Sequence, residues 1–236
     1  MHFISLIFNE ALYRPLFNGL IFLYNTVSFH DFGIAIILLT FLIRLAIFPL
    51  NQKAIKSQKA MNVFQPQIKE IQQKFKDDRQ KQGQALMELY KKNNINPAGG
   101  CLPLLLQLPI LLALYQVLWN GLNPERLNLL YSFVSRPETI NQMFLGFLDL
   151  SKGSPWMAVL AGVFTFFQSK MMISKKSLKG QPGDFSVMMN KQMLYFMPVM
   201  TVFIAWSLPA GLSLYWVVMT LFGIGQQYLI LRKKNE

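Results

Sequence analysis

Charge is what this chain has least of. Asp, Glu, Lys and Arg make up only 14% of its 236 residues, against roughly 25% in soluble domains. There is a single cysteine, Cys101, so no disulfide can close within one chain and no thiolate set can hold a metal. The two histidines, His2 and His30, stand far apart in sequence. No catalytic triad, Walker loop or zinc motif is present. These absences lower the case for an enzyme, and neither a catalytic residue, a cofactor nor a metal is expected. What is abundant is apolar: 53% of the residues are hydrophobic. The expected fold class is an all-α membrane protein.

The organising stretch is Phe32 to Leu50, FGIAIILLTFLIRLAIFPL. Nineteen residues match the length a helix needs to cross a bilayer core at roughly 1.5 Å per residue. Arg44 interrupts the run. A charge at membrane depth must face protein or water and marks a functional site by default. The alternative is that Arg44 snorkels, its long side chain reaching the interface from six residues inside the end. Thr40, one turn earlier on the same face, favours a polar stripe.

Four more spans follow by the same reasoning: 101–119, 155–173, 192–208 and 212–231. Gln107 lies in the second, Gln168 in the third and Trp216 in the fifth. Before the first span, Glu10 to Ser28 reads as a helix lying in the interface, within an extracytoplasmic segment 1–31. The rival is a sixth span. Between the first two spans, 51–100 carries ten Lys/Arg and four Asp/Glu. There Met61, Phe64, Ile68, Ile71 and Phe75 form a narrow stripe that Leu86, Leu89 and Tyr90 can face. The pattern predicts two antiparallel helices turning at Asp77–Asp78, with Pro66 a kink or a fresh start. Lys74, Lys76 and Lys81 on this hairpin either form a solvated face or meet anionic lipid or RNA. NPAGG, at 96–100, is a turn. Residues 120–154 form a loop whose LNLLYSFV stretch predicts a short interfacial helix, and the Gly/Pro-containing loop 174–191 predicts mobility.

Placing 51–100, 174–191 and 232–236 on one side collects 17 basic against six acidic residues. The other side carries four against five. The positive-inside rule then puts the hairpin and C-terminus in the cytoplasm and the N-terminus outside.

Three ordered blocks carry a resemblance: FGIAIILLTFLIRLAIFPLNQKA, NPAGGCLPLLLQLPILLALYQVL, and FMPVMTVFIAWSLPAGLSLYWVV followed by QQYLI. Together with the charged hairpin they resemble the YidC/Oxa1/Alb3 family of membrane protein insertases over about 32–231. The nearest likeness is to bacterial YidC members without a large extracytoplasmic domain. The resemblance implies five transmembrane helices, a cytoplasmic helical hairpin, and a hydrophilic groove open to cytoplasm and lipid. Arg44 matches the groove arginine, and Gln107 and Trp216 match groove-lining positions. Their plainer readings are a helix–helix hydrogen bond and an interfacial aromatic. Thr40 and Gln168 are added as groove candidates without motif support.

The implied activity is insertion and chaperoning of membrane proteins in the bacterial inner membrane. Nascent membrane proteins would be the substrates and the lipid bilayer the medium. The Sec translocon and the ribosome are further expected partners; DNA is not. The short RKKNE end is expected to give little tail-mediated ribosome docking. The competing reading is a small polytopic transporter or channel in which Arg44 binds an anionic solute. Against it, no internal repeat is visible, and a basic hairpin of this size is unusual in a small carrier.

Overall fold

The computed structural model describes residues 6–96, 102–120, 124–173, 178 and 185–232. The expected NPAGG turn and most of the 174–184 stretch, with the mobility expected of it, lie outside the described residues. Nearly all regular structure is helical.

The first helix, α1 (Arg14–Thr26), continues from a helical start at Leu6 through a wide π turn at Asn9–Tyr13. Phe17, Leu20, Ile21 and Tyr24 share one buried face. That face packs antiparallel on α2 (Phe32–Ala46): Gly19 meets Leu39, and the Tyr24 and Phe32 rings meet edge to face with centroids 6.0 Å apart. Asp31 caps α2 by accepting from Ile34 N–H at 3.0 Å, which satisfies one of the orphan donors of the first turn.

The apolar run does not continue straight to Leu50. α2 stops at Ala46, and after Ile47 the chain turns by 65° into α3 (Phe48–Lys74). Pro49 supplies the reason. It has no N–H to donate to the carbonyl of Leu45, and its ring clashes there, whereas in the first turn of a new helix both defects vanish. Pro66 behaves differently and lies inside α3 without ending it.

α3 folds back through 75–78 into α4 (Arg79–Lys92), whose N-terminus is capped by Asp78 accepting from Lys81 N–H at 3.0 Å. Gln82 Nε2 donates to the Gln72 carbonyl at 3.1 Å, and Ser57 Oγ to the Asn96 carbonyl at 2.6 Å. These contacts fix the two helices as antiparallel. The seam is thin: Ile68 is buried, but α4 buries no residue.

α5 (Leu102–Asn120) and α6 (Pro155–Met172) flank a loop region. A six-residue 3-10 turn, Pro124–Leu129, overlaps only the first three residues of LNLLYSFV (127–134), where a short interfacial helix is expected. Its regular part ends at Leu129. β1 (Met143–Phe144) and β2 (Leu148–Asp149) then pair antiparallel, Met143 opposite Asp149. Phe144 lies over Gly33, where any Cβ would overlap its side chain.

α7 (Phe185–Lys191) runs through a second π turn, Gln192–Phe196, into α8 (Met197–Ser207). The helix thus starts seven residues before the 192 boundary read from sequence. Val187, Leu194, Pro198, Thr201 and Ala205 are buried at intervals of 7, 4, 3 and 4, a helical face that extends back across the expected loop. α9 (Ala210–Arg232) closes the chain.

Direction follows from contacts. Ala210 N–H donates to the Lys152 carbonyl at 2.7 Å and Gly211 N–H to that of Leu150 at 3.0 Å, so α6 and α9 start side by side. Thirteen residues into each, Gln168 lies against Gly223, so the two run parallel. α8 runs antiparallel to α6, with Val202 and the Pro198 carbonyl against Gly162. Ala158, Ala161 and Ala205 line this junction with Val217. Small side chains suit it, since apolar burial drives little association within lipid and close backbone approach supplies dispersion instead. Among the described residues α9 alone is long and apolar enough to cross a membrane unaided; the bent α2–α3 pair would add a second such span, and Leu105–Trp119 is a shorter apolar helix. One end of the bundle carries the 124–154 loop, and the other carries the α3–α4 pair.

Candidate functional site: a polar strip along α9

The bundle interior holds more polar groups than an apolar packing problem needs. Arg44 lies on α2 two residues before its end and is half-buried. Its guanidinium is close enough to the Tyr215 hydroxyl on α9 to interact electrostatically. Gln107, on α5, donates from Nε2 to that same hydroxyl. Three helices therefore converge on Tyr215, which is 2% exposed. Among the described residues no carboxylate pairs with Arg44. A guanidinium keeps its charge in any protein environment, so the site presents an uncompensated positive charge with only neutral partners around it.

The strip continues toward the α3–α4 end. Gln226, one helical stretch beyond Tyr215, donates to the Phe48 carbonyl at 3.0 Å, tying α9 to the first residue of α3. Asn51, one turn along α3, is 4% exposed, and neither its Oδ1 nor its Nδ2 has a hydrogen-bond partner. Gln227 is 7% exposed and its Oε1 is also unpartnered. A polar group buried dry and unbonded costs about 1–3 kcal/mol. Such groups ordinarily hold ordered water.

The sequence-derived candidates do not form one cluster. Arg44 and Gln107 come together, through Tyr215. Thr40 is buried one turn before Arg44, but its hydroxyl donates to the Ile36 carbonyl of its own helix at 2.6 Å. Trp216 points elsewhere: it packs against the junction of Ala158, Ala161, Ala205 and Val217. One residue along a helix is a rotation of about 100°, which separates it from Tyr215. Gln168 fills the space over Gly223 and is not part of the Arg44 group. Lys74, Lys76 and Lys81 are exposed near the α3–α4 turn; Lys81 pairs with Asp78 at 3.1 Å. That contact helps hold the Asp78 carboxyl below its usual range, after the Lys81 backbone N–H.

Tyr215 and Asn51 were not singled out from sequence, and Gln226 and Gln227 stood out only as polar residues of the fifth span, without a groove role. A signal existed: Ser213, Thr220, Gln226 and Gln227 are all buried on a helix otherwise apolar enough to span. Ser213 and Thr220 turn out to bond backbone, to the Ala205 carbonyl at 3.1 Å and the Trp216 carbonyl at 2.7 Å. The amides remain as the informative members. Among the described residues no cluster of His, Cys, Asp or Glu could hold a metal ion.

Residues 22–236 match the family model described as 60Kd inner membrane protein. A membrane protein insertase YidC of Fusobacterium nucleatum is 36% identical over 224 residues, covering 94% of this chain and 98% of the relative. One of Oceanobacillus iheyensis is 40% identical over 205 residues, 84% of this chain and 74% of the relative. One of Oleidesulfovibrio alaskensis is 37% identical across 93% of this chain, but this chain spans only 38% of that protein. A solved structure, described as an active YidC insertase crystal structure with the first transmembrane domain resolved, aligns with a TM-score of 0.58 and 32% identity. The alignment covers 92% of this chain and 46% of that one. The chain is a membrane protein belonging to the 60Kd inner membrane protein family, alongside the insertases named YidC.

Proposed function

We propose that this protein inserts membrane proteins and assists their folding, and that the polar strip along α9 is the floor of the groove that receives them. The observation that carries this reading is the convergence of Arg44 and Gln107 on Tyr215, continued by the unpartnered amides of Asn51 and Gln227. A polar segment of a substrate is expensive to bring into hydrocarbon. Water on a strip that reaches the α3–α4 end would shorten the dry path. Arg44 adds a fixed positive charge where the low dielectric makes attraction to a substrate Asp or Glu stronger than in water. The apolar part of the substrate then leaves sideways into lipid. No covalent bond changes, so the process calls for no catalytic residue.

In this reading the bundle has five spans: α2, α5, α6, α7–α8 and α9. The α3–α4 hairpin and the C-terminus are cytoplasmic, the 124–154 loop lies outside, and α1 lies in the outer interface. Charge asymmetry supports that orientation. The attachment of α1 to the 129–141 loop segment through Asn18, Tyr24 and Asn25 supports its placement on that side. Nascent membrane proteins are the substrates, with the Sec translocon and the ribosome as further partners.

The test is reconstitution of the full chain into lipid vesicles with a single-span protein whose translocated tail is either acidic or neutral. Wild type should insert both. Arg44→Ala, compared at equal protein abundance, should lower the acidic-to-neutral ratio by about tenfold, the equivalent of roughly 1.4 kcal/mol, while Arg44→Lys keeps most of it. An unchanged ratio in Arg44→Ala removes electrostatic attraction from the mechanism. Flux of an anionic solute without insertion would favour a carrier instead.

A further inference from the structure

α6 and α9 leave an open-sided cleft of about 500 Å³. Phe164, Phe167 and Met171 line it from α6, Leu221 and Ile224 from α9. These positions recur at helical spacing, so each helix turns one continuous apolar edge toward the cleft. The space beside Gly225, on the same edge of α9, is empty within 4 Å of where a Cβ would stand. Phe167 and Leu221 are each about half exposed, so the cleft opens outward from the bundle. Its size falls within the roughly 300–1,000 Å³ of small-ligand sites.

One charged side chain lines it. Lys170 is exposed, two residues before the end of α6. Its ammonium stands 5.8 Å from the Phe166 ring centroid, and no carboxylate pairs with it among the described residues. Because α6 and α9 run parallel, Lys170 marks the end of the cleft nearest the α3–α4 pair. On α9, Tyr228 continues the same edge one turn past Ile224 and is exposed. The layout is an apolar slot with a cation at one end.

We propose that this cleft holds one acyl chain of an anionic phospholipid, whose phosphate pairs with Lys170. An acyl chain suits the apolar edges, an anionic headgroup suits an ammonium with no carboxylate partner among the described residues, and with α6 and α9 spanning as proposed a lipid is the molecule that faces this side of them. Gln168 on α6 lies against Gly223 on α9, so the two helices approach each other closely there. The site does not depend on the insertion reading. It does rest on the proposed reading of α6 and α9 as spans, and the proposed sidedness decides that the lipid comes from the cytoplasmic leaflet.

Native mass spectrometry of the full chain from nanodiscs containing equal phosphatidylglycerol and phosphatidylcholine tests the proposal. Wild type should retain one phosphatidylglycerol in preference to phosphatidylcholine by about fivefold, the factor expected of one lysine near an anionic surface. Lys170→Gln should erase the preference, and Lys170→Arg should keep it. Leu221→Trp, which fills the slot from a lipid-facing position, should abolish retention of both lipids with insertion of single-span proteins left intact. Equal retention of the two lipids by wild type, or an undiminished preference in Lys170→Gln, overturns the proposal. Retention unaffected by Leu221→Trp places the lipid elsewhere and overturns it too.

Discussion

The two ends of this bundle differ in how fully they satisfy their buried amides. At the loop end, partners about 110 residues apart in sequence close on one another. Asn18 Nδ2 donates to the Arg14 and Leu129 carbonyls at 2.8 and 3.1 Å, and its Oδ1 accepts from Tyr131 N–H at 2.6 Å. Arg14 Nε also donates to the Leu129 carbonyl, at 3.2 Å, and Asn25 Nδ2 to that of Ser135 at 2.6 Å. The Tyr24 hydroxyl accepts from Asn141 N–H at 2.9 Å, and Asp31 accepts from Leu145 N–H at 2.7 Å. At the α3–α4 end, Asn51 and Gln227 are buried with amide atoms unpartnered, and Gln226 supplies a single tie to the first residue of α3. A side chain with every bond made fixes a structure; a side chain with bonds unmade leaves room for water or a ligand. That contrast is what the proposed groove, closed at the loop end and open at the other, requires.

Matched substitutions turn the contrast into numbers. Asn18→Leu removes three hydrogen bonds, strands the Tyr131 N–H and leaves the Leu129 carbonyl with Arg14 Nε alone, so it should lower stability by about 2–4 kcal/mol. Asn51→Leu removes two polar atoms that bond nothing in the protein, so its cost should stay within about 1 kcal/mol. Thermal unfolding in detergent measures both. The functional ranking should invert: Asn51→Leu dries the strip and should slow insertion more than its stability change explains. Equal destabilisation by the two variants would erase the difference between the ends.

How much of this could be read from sequence depended on the range of the physics. Hydropathy and helix period are local, and they place Arg44, Gln107 and the α3–α4 turn near where they lie. The break at Ile47 was also local, since Pro49 stands in the sequence, but a long apolar run outweighed it. What stayed hidden was rotational. Tyr215 and Trp216 are adjacent letters; which of them faces Arg44 depends on how α9 rolls against α2 and α5. Neither hydropathy nor spacing fixes that roll. The loop end was the least legible, because its order comes from pairings such as Asn18 with Leu129 and Asp31 with Leu145, and no local pattern announces them.

The α3–α4 pair extends the open end, and its weak seam makes charge its main asset. Reversing Lys74, Lys76 and Lys81 to Glu should weaken binding to anionic vesicles or ribosomes by about 1 kcal/mol per lysine at low salt, and by less as salt rises. Helix content should hold, because α4 buries none of its residues. The Lys81 change also loses its pairing with Asp78, so circular dichroism should accompany the binding assay. Binding that is unchanged at low salt would leave these lysines as a solvated face.

The smallest expected effect lies in the loop-end clamp itself. Asp149 accepts from the Ser151 hydroxyl and backbone N–H, and pairs with Lys152 at 2.9 Å. These contacts, the Ser151 hydroxyl foremost, bring its carboxyl down to about 2. The Lys152 carbonyl in turn receives Ala210 N–H, so the clamp touches the start of α9. A carboxyl depressed in the folded state stabilises that state above its ordinary value of 3.8, and the contribution is lost as the pH falls from there toward about 2. The clamp is therefore complete throughout the neutral range, and acidification to pH 5 should leave it untouched. Because the group faces solvent, the gain in stability is small, and the midpoint is the better observable. In labelled protein the Asp149 carboxyl resonance should titrate near 2, and Ser151→Ala should move it toward 3.8 while Lys152→Gln moves it less. A wild-type midpoint already at 3.8 would mean that the turn at 149–152 is not held by this carboxylate, and that the backbone bonds from Ala210 and Gly211 close the loop end unaided.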